Sequence, residues 1–149
     1  MIKKIFLALC FLFFSNLSLY SSEEYFLTLR NDKVNLRQGP SFKYPIKIFY
    51  KKKYLPVLVQ DKSDNFRKIR DHENNTGWVH ISQLSKKKAA ITIDEDVLVF
   101  NKPSIYSTPK VILKKGRLCM IKKCRDEWCK INVDKFKGWI KKESLWGLL

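Results

Sequence analysis

From Tyr25 onward the chain alternates apolar and polar residues in short runs, and no stretch keeps an apolar period of 3.6 for long. Alternation with period two marks a strand with one buried face, because successive side chains leave a pleated backbone on opposite sides. Strands are predicted over 25–30, 34–37, 46–50, 54–60, 66–70 and 77–80, then over 89–93, 97–101, 110–113, 118–123, 128–133 and 136–140. Leu55, Val57 and Val59 fall on one face, as in a half-buried strand. Pro56 interrupts that run and predicts an edge strand or a bulge, since proline offers no N–H to a ladder. Five or six strands in roughly 60 residues suit a small closed barrel, which hides most sheet edges.

The pattern is written twice, about 61 residues apart. Asp64-Asn65-Phe66-Arg67-Lys68-Ile69, followed by Gly77-Trp78-Val79, returns as Asp126-Glu127-Trp128-Cys129-Lys130-Ile131, followed by Gly138-Trp139-Ile140. The expected fold class is therefore all-β, two small barrels in tandem, with 23–85 as the first and 86–149 as the second. Ser85 to Lys88 forms the polar seam. In each barrel the tryptophan after Gly is expected to fill the core, paired with Ile69 in the first and Ile131 in the second.

The first 22 residues break this pattern. Lys3 and Lys4 precede an apolar run from Ile5 to Phe14, and Ser21-Ser22 lead to Glu23-Glu24. That order reads as a secretory signal peptide over 1–22, too short for a spanning helix, so no stable membrane span is expected after cleavage. Localisation is accordingly periplasmic or secreted. The segment carries two lysines and no acids, so its removal lowers the formal net charge only from +16 to +14. Lysine runs at 51–53 and 86–88 fit a solvated surface, or attraction to an anionic partner. Export argues against nucleic acid.

The sharpest local motif is Val34-Asn35-Leu36-Arg37-Gln38-Gly39-Pro40-Ser41, with Tyr44-Pro45 after it. Gly39 permits a positive φ and Pro40 fixes the next turn, which predicts a rigid loop. Here the chain resembles the bacterial SH3 family, whose first loop reads Asn-x-Arg-x-Gly-Pro-Ser followed by a proline. The resemblance covers nearly all of Val34 to Leu145 as two copies. It is closest to exported tandem proteins of Gram-negative bacteria, in which a second-repeat Cys-x4-Cys encloses a Trp; these are Cys124, Trp128 and Cys129 here. It implies two SH3-like barrels and association with the cell wall.

A ligand site is expected at Asn35, Arg37, Gly39, Pro40, Tyr44 and Tyr54, the arginine to clamp a carboxylate and the aromatics to stack on flat groups. Tyr44, Phe49, Tyr50 and Tyr54 are the aromatics expected on the surface. The same loop also fits a purely structural reading, with Asn35 closing a turn and Arg37 paired to an acid such as Asp32. In the second repeat, Asn101-Lys102-Pro103-Ser104 lacks Asn-x-Arg and the glycine, so that loop reads as degraded and the copy as a structural partner.

Cys124 and Cys129 flank a hairpin-sized loop and are expected to form a disulfide, with Cys119 a small buried residue in a strand. No spacing suits a metal, and no Gly-rich phosphate loop or cofactor motif occurs among five glycines. Neither His72 nor His80 has a local Ser or Cys partner pattern, so no catalytic residue and no enzyme activity are expected. The expected function is non-catalytic binding of peptidoglycan peptide or glycan, or another anionic cell-envelope polymer. The alternative is a periplasmic protein adaptor that positions or regulates a wall enzyme.

Overall fold

A computed structural model describes residues 23–149; the signal peptide read at 1–22 lies outside the described residues. The first set of strands is β1 (Tyr25–Leu29), β2 (Val34–Arg37), β3 (Ile46–Tyr50), β4 (Pro56–Ser63), β5 (Phe66–Arg70), β6 (Thr76–His80) and β7 (Leu84–Ser85). The second is β8 (Ala89–Thr92), β9 (Asp96–Phe100), β10 (Pro109–Lys114), β11 (Leu118–Arg125), β12 (Trp128–Val133), β13 (Phe136–Lys141) and β14 (Leu145–Trp146). Each set forms one seven-stranded antiparallel sheet, in the orders β3-β2-β6-β5-β4-β1-β7 and β10-β9-β13-β12-β11-β8-β14. The two orders are the same topology, so the repeat in sequence is a repeat in fold.

Each sheet curls around its own core. Leu29, Val34, Leu36, Val57, Val59, Ile69 and Val79, drawn from five strands, meet in one cluster; Val97, Val99, Ile121, Ile131, Val133 and Ile140 meet in the other. Burying one such side chain contributes roughly 1.5–3 kcal/mol relative to leaving it exposed. The sharpest bend lies where β2 meets β6 at the single pair Arg37–Trp78, and where β9 meets β13 at Phe100–Trp139. Glycine is required there by close approach: a Cβ at Gly77 would lie 2.7 Å from the Arg37 carbonyl oxygen, and one at Gly138 would lie 2.6 Å from that of Phe100.

The tryptophans do not sit where expected. Ile69 lies opposite Gly77, and the next inward residue on β6 is Val79, fully buried; Trp78 pairs with Lys68 on the outer face and is half-buried. Trp139 is buried, but it lies outside the core cluster, with the cations of Lys123 and Arg125 each 5.8 Å from its ring centroid. The core partners are therefore Ile69 with Val79 and Ile131 with Ile140. Alternation puts the two apolar neighbours on opposite faces, and the compact β-branched residue takes the inside.

Strand β4 also departs from expectation. It lies between β5 and β1 rather than at an edge, and Pro56, Val57, Leu58 and Val59 are all buried. Pro56 is tolerated because it opens the strand, and the register shift falls further on, between Val59 and Asp61. The second face is covered because the barrels pack together. Ile91 of β8 joins the first core, the Phe26 and Trp146 rings meet edge to face at 4.9 Å, and a Cβ on Gly147 would come within 3.0 Å of Pro56.

Candidate functional site

The loop between β2 and β3 is ordered by its own backbone. Gln38 N–H donates to the Pro45 carbonyl, Ser41 N–H to that of Gly39, and Tyr44 N–H to that of Ser41. Gly39 is needed for a different reason from the one expected. It is not among the residues with positive φ. Instead the Tyr44 ring lies on it, so that a Cβ would sit 2.7 Å from three ring atoms.

Arg37 fastens the loop from below. Its Nη1 donates to the carbonyls of Phe42 (3.2 Å) and Tyr44 (2.9 Å), and its guanidinium lies 5.4 Å from the Phe42 ring centroid. No pairing with Asp32 forms, and Nη2 has no partner among the described residues. Phe42, 64% exposed, stands over Phe66 and His80 with centroids 5.2 and 5.0 Å away. Phe66 and His80 meet edge to face at 5.1 Å. Phe42 and His80, backed by the buried Phe66 and with Tyr44 at 47% exposure beside them, form an aromatic surface edged by the Arg37 cation.

Asn35 lies on β2 and closes no turn. Its N–H donates to Gln83 Oε1 at 3.4 Å, while its Oδ1 is buried without a partner. Pro40 is half-buried in the loop. Tyr54 does not join these residues. It follows β3 whereas Tyr44 precedes it, which places them at opposite ends of that strand. The Tyr54 ring lies between the ammonium groups of Lys53 and Lys87, at 5.3 and 5.6 Å, and so belongs to the basic seam.

Tyr50 is not a surface aromatic. It is 8% exposed, and its hydroxyl donates to Asp71 Oδ2 at 2.8 Å. Burial first, and then the Asp71 carboxylate, push its pKa well above the usual phenol value. Asp71, buried, also accepts from Glu73 N–H, Asn75 N–H and Asn75 Nδ2. The Asp71–Asn75 run signals a turn in the sequence; nothing local reveals its tie to Tyr50. His80 likewise has a local serine after all. Ser82 N–H donates to Nδ1 at 3.3 Å and Ser82 Oγ lies 2.8 Å from it. This is a cap on the short 3₁₀ turn Ile81–Gln83.

The second repeat builds the same loop with other side chains. Asn101 N–H donates to Thr108, Ser104 N–H to Lys102 and Ser107 N–H to Ser104, so its backbone is intact rather than degraded. Phe100 stands where the first repeat has Arg37, Lys102 replaces Gly39 and Ser107 replaces Tyr44. Ser107 Oγ accepts from Lys102 N–H, closing the turn without arginine. Phe100 packs edge to face on Trp128 at 5.5 Å. Cys124 and Cys129 lie opposite each other on β11 and β12 and form a disulfide. Cys119 is free and buried, its thiol pushed up to about 12 chiefly by burial.

No match is found among curated proteins. Among solved structures the chain is similar to NlpC2 of Trichomonas vaginalis, at 14% identity over 83% of this chain and 48% of that one, with a TM-score of 0.38. It is also similar to NlpC1 of Trichomonas vaginalis (15% identity, 86% and 47% coverage, TM-score 0.37). An NlpC/P60 family protein of Bacillus cereus ATCC 10987 gives 10% identity, 81% and 55% coverage and a TM-score of 0.37. The chain spans about half the length of each. A family model described as a bacterial SH3 domain matches residues 30–86 and again 94–147. With two matches covering most of the chain, one on each sheet, the protein belongs to the bacterial SH3 domain family.

Proposed function

We propose that the protein is a non-catalytic binding module that recognises cell-wall peptide or glycan through its first repeat, in the periplasm or outside the cell. The observation that carries this reading is the exposed aromatic surface of Phe42, Tyr44 and His80, held by Arg37 in the first repeat and lacking that cation in the second. Aromatic faces stack on sugar rings and peptide planes, and the unengaged edge of the guanidinium suits a peptide carboxylate. Gly39 and Pro40 set the shape of this loop, Asn35 lies beside it on β2, and Tyr54 contributes through the basic seam. The Cys124–Cys129 disulfide supports an oxidising compartment. Among the described residues no helix is long and apolar enough to cross a membrane.

Co-sedimentation with purified peptidoglycan tests the reading. Binding is expected to split into a salt-sensitive part, weakened by charge reversal of Lys51, Lys52 and Lys53, and a salt-resistant part lost in Phe42→Ala and Arg37→Ala. Binding that vanishes at high salt and ignores both substitutions would refute the first-repeat site.

A further inference from the structure

A groove of about 400 Å³ lies between the barrels, away from the Arg37 loop. One wall is β1. Tyr25, Phe26 and Leu27 pair with β4 on one side, but β7 meets β1 only at Thr28 and Leu29, so among the described residues the first three have an open edge. Leu29 N–H donates to Leu55, beside β4. Amides alternate in direction along a strand, so the N–H and C=O of Phe26 point the other way, into the groove.

The linker after β7 would cover this edge if it continued straight. It is drawn aside instead: the Thr28 hydroxyl donates to the Lys87 carbonyl at 2.9 Å, and Ile121 N–H donates to that of Lys88 at 3.0 Å. The other wall therefore presents Lys86, Lys87 and Lys88, all exposed, and none takes part in an ion pair among the described residues. Glu24, at the start of β1, accepts from Gln60 on β4. Ala89 and Gly147 form a floor of small residues, which lets a backbone approach closely.

An unpaired strand edge facing three lysines across a small-residue floor has the features of a strand-addition site with a charge preference. We propose that this groove takes an extended, acidic segment of a partner protein, which adds beside β1 by backbone hydrogen bonds at Phe26 and sets its carboxylates against Lys86 to Lys88. At about 3.4 Å per residue, the open edge accommodates three residues of such a segment.

The probe is a fluorescein-labelled peptide, Gly-Asp-Val-Glu-Val-Asp, titrated into the full-length protein and followed by anisotropy. Its partner probe is the same peptide N-methylated at both valines and, in a second version, at all three acids. The parent peptide is expected to bind. One of the two methylated forms, whichever loses the N–H facing Phe26, is expected to bind at least ten-fold more weakly. The combined variant Lys86→Glu, Lys87→Glu and Lys88→Glu is expected to weaken binding at least ten-fold, whereas Lys137→Glu, a charge reversal at an exposed lysine outside both surfaces, leaves it unchanged. Equal binding of all three peptides would overturn strand addition and leave only charge attraction; no loss in the triple variant would overturn the groove. Lys137 belongs to neither surface, and wall binding is scored separately by co-sedimentation with Arg37→Ala, so failure of one reading is distinguishable from failure of the other.

Discussion

The two repeats share a backbone and differ in how they are fastened. In the first, β3 and the turn after β5 are tied by a buried polar pair, Tyr50 with Asp71. At the matching places of the second stand Leu113 and Val133, both buried in its core. The first repeat has Lys62 opposite Arg67 across its β4–β5 hairpin, two cations facing each other; the second has Cys124 bonded to Cys129. The first clamps its β2–β3 loop with Arg37, while the second places Phe100 there and lets Ser107 close the turn. One fold thus tolerates polar ties in one copy, and apolar contacts with a crosslink in the other. The surface proposed to bind the wall lies on the polar copy.

Where the copies are alike, substitution should cost alike. Ile69→Ala and Ile131→Ala each remove a fully buried side chain opposite a glycine and are expected to cost about 4 kcal/mol, measured by denaturant unfolding followed in each barrel. Trp78→Ala, half-buried on the outer face, should cost clearly less. A larger loss at Trp78 than at Ile69 would restore the tryptophan to the core.

Where they differ, one copy can be rewritten as the other. Asp71→Ala leaves the Tyr50 hydroxyl and the Glu73 and Asn75 amides without their acceptor, and is expected to cost about 3 kcal/mol. The pair Tyr50→Leu with Asp71→Val copies the second repeat and should recover part of that loss, a coupling that a double-mutant cycle measures. The polar tie also has an alkaline limit. The folded state holds the Tyr50 proton more tightly than the unfolded chain, so its stabilisation is full below the ordinary phenol pKa of about 10 and falls as pH rises above it. Cys119 has the same sign in the second repeat, with its contribution complete below the ordinary thiol range and lost as pH climbs toward about 12. Tyr50→Phe should remove the alkaline sensitivity of the first barrel alone.

The crosslink comes next in size. Reducing Cys124–Cys129 frees a short loop and should cost about 2 kcal/mol, lowering the melting temperature of the second barrel while leaving the first unchanged. In the unreduced native protein Cys119 should resist alkylation because it is buried; denaturing without reductant should expose it while Cys124 and Cys129 remain unlabelled.

These contrasts bear on what the sequence made legible. Period-two alternation located β2, β3, β5 and β12 to the residue, because each has one face in a core and one toward solvent. It missed β7 and β14, which are two residues long and carry no period. Gly-Trp-Val and Gly-Trp-Ile show two apolar neighbours, and alternation says they oppose each other without saying which is inside. Tyr50 was misplaced because its partner is 21 residues away, and Tyr54 because strand length, not loop proximity, decides what stands beside Tyr44. The Arg-Gly-Pro loop was legible as a rigid motif. Its arginine proved to act first on its own loop carbonyls, a contact that requires the loop's path to be known.

The smallest expected effect on stability is the most informative about function. Arg37→Phe copies Phe100 of the second repeat and removes two exposed charged hydrogen bonds, which should cost about 1 kcal/mol and leave the barrel folded. The β2–β3 loop would lose its fastening, since Tyr44 stands where the second loop has Ser107, whose hydroxyl closes the turn without arginine. Amide hydrogen exchange at Lys43 and Tyr44 should therefore rise while exchange in the β4–β5 hairpin stays unchanged. Arg37→Lys is expected to restore charge but not the two-carbonyl geometry, so it should leave the salt-sensitive part of wall binding intact and fail to rescue the salt-resistant part. If Arg37→Phe binds peptidoglycan as well as the natural protein at high salt, the difference between the loops is structural variation alone. If instead only the salt-resistant part disappears, a single guanidinium separates a recognising repeat from a supporting one.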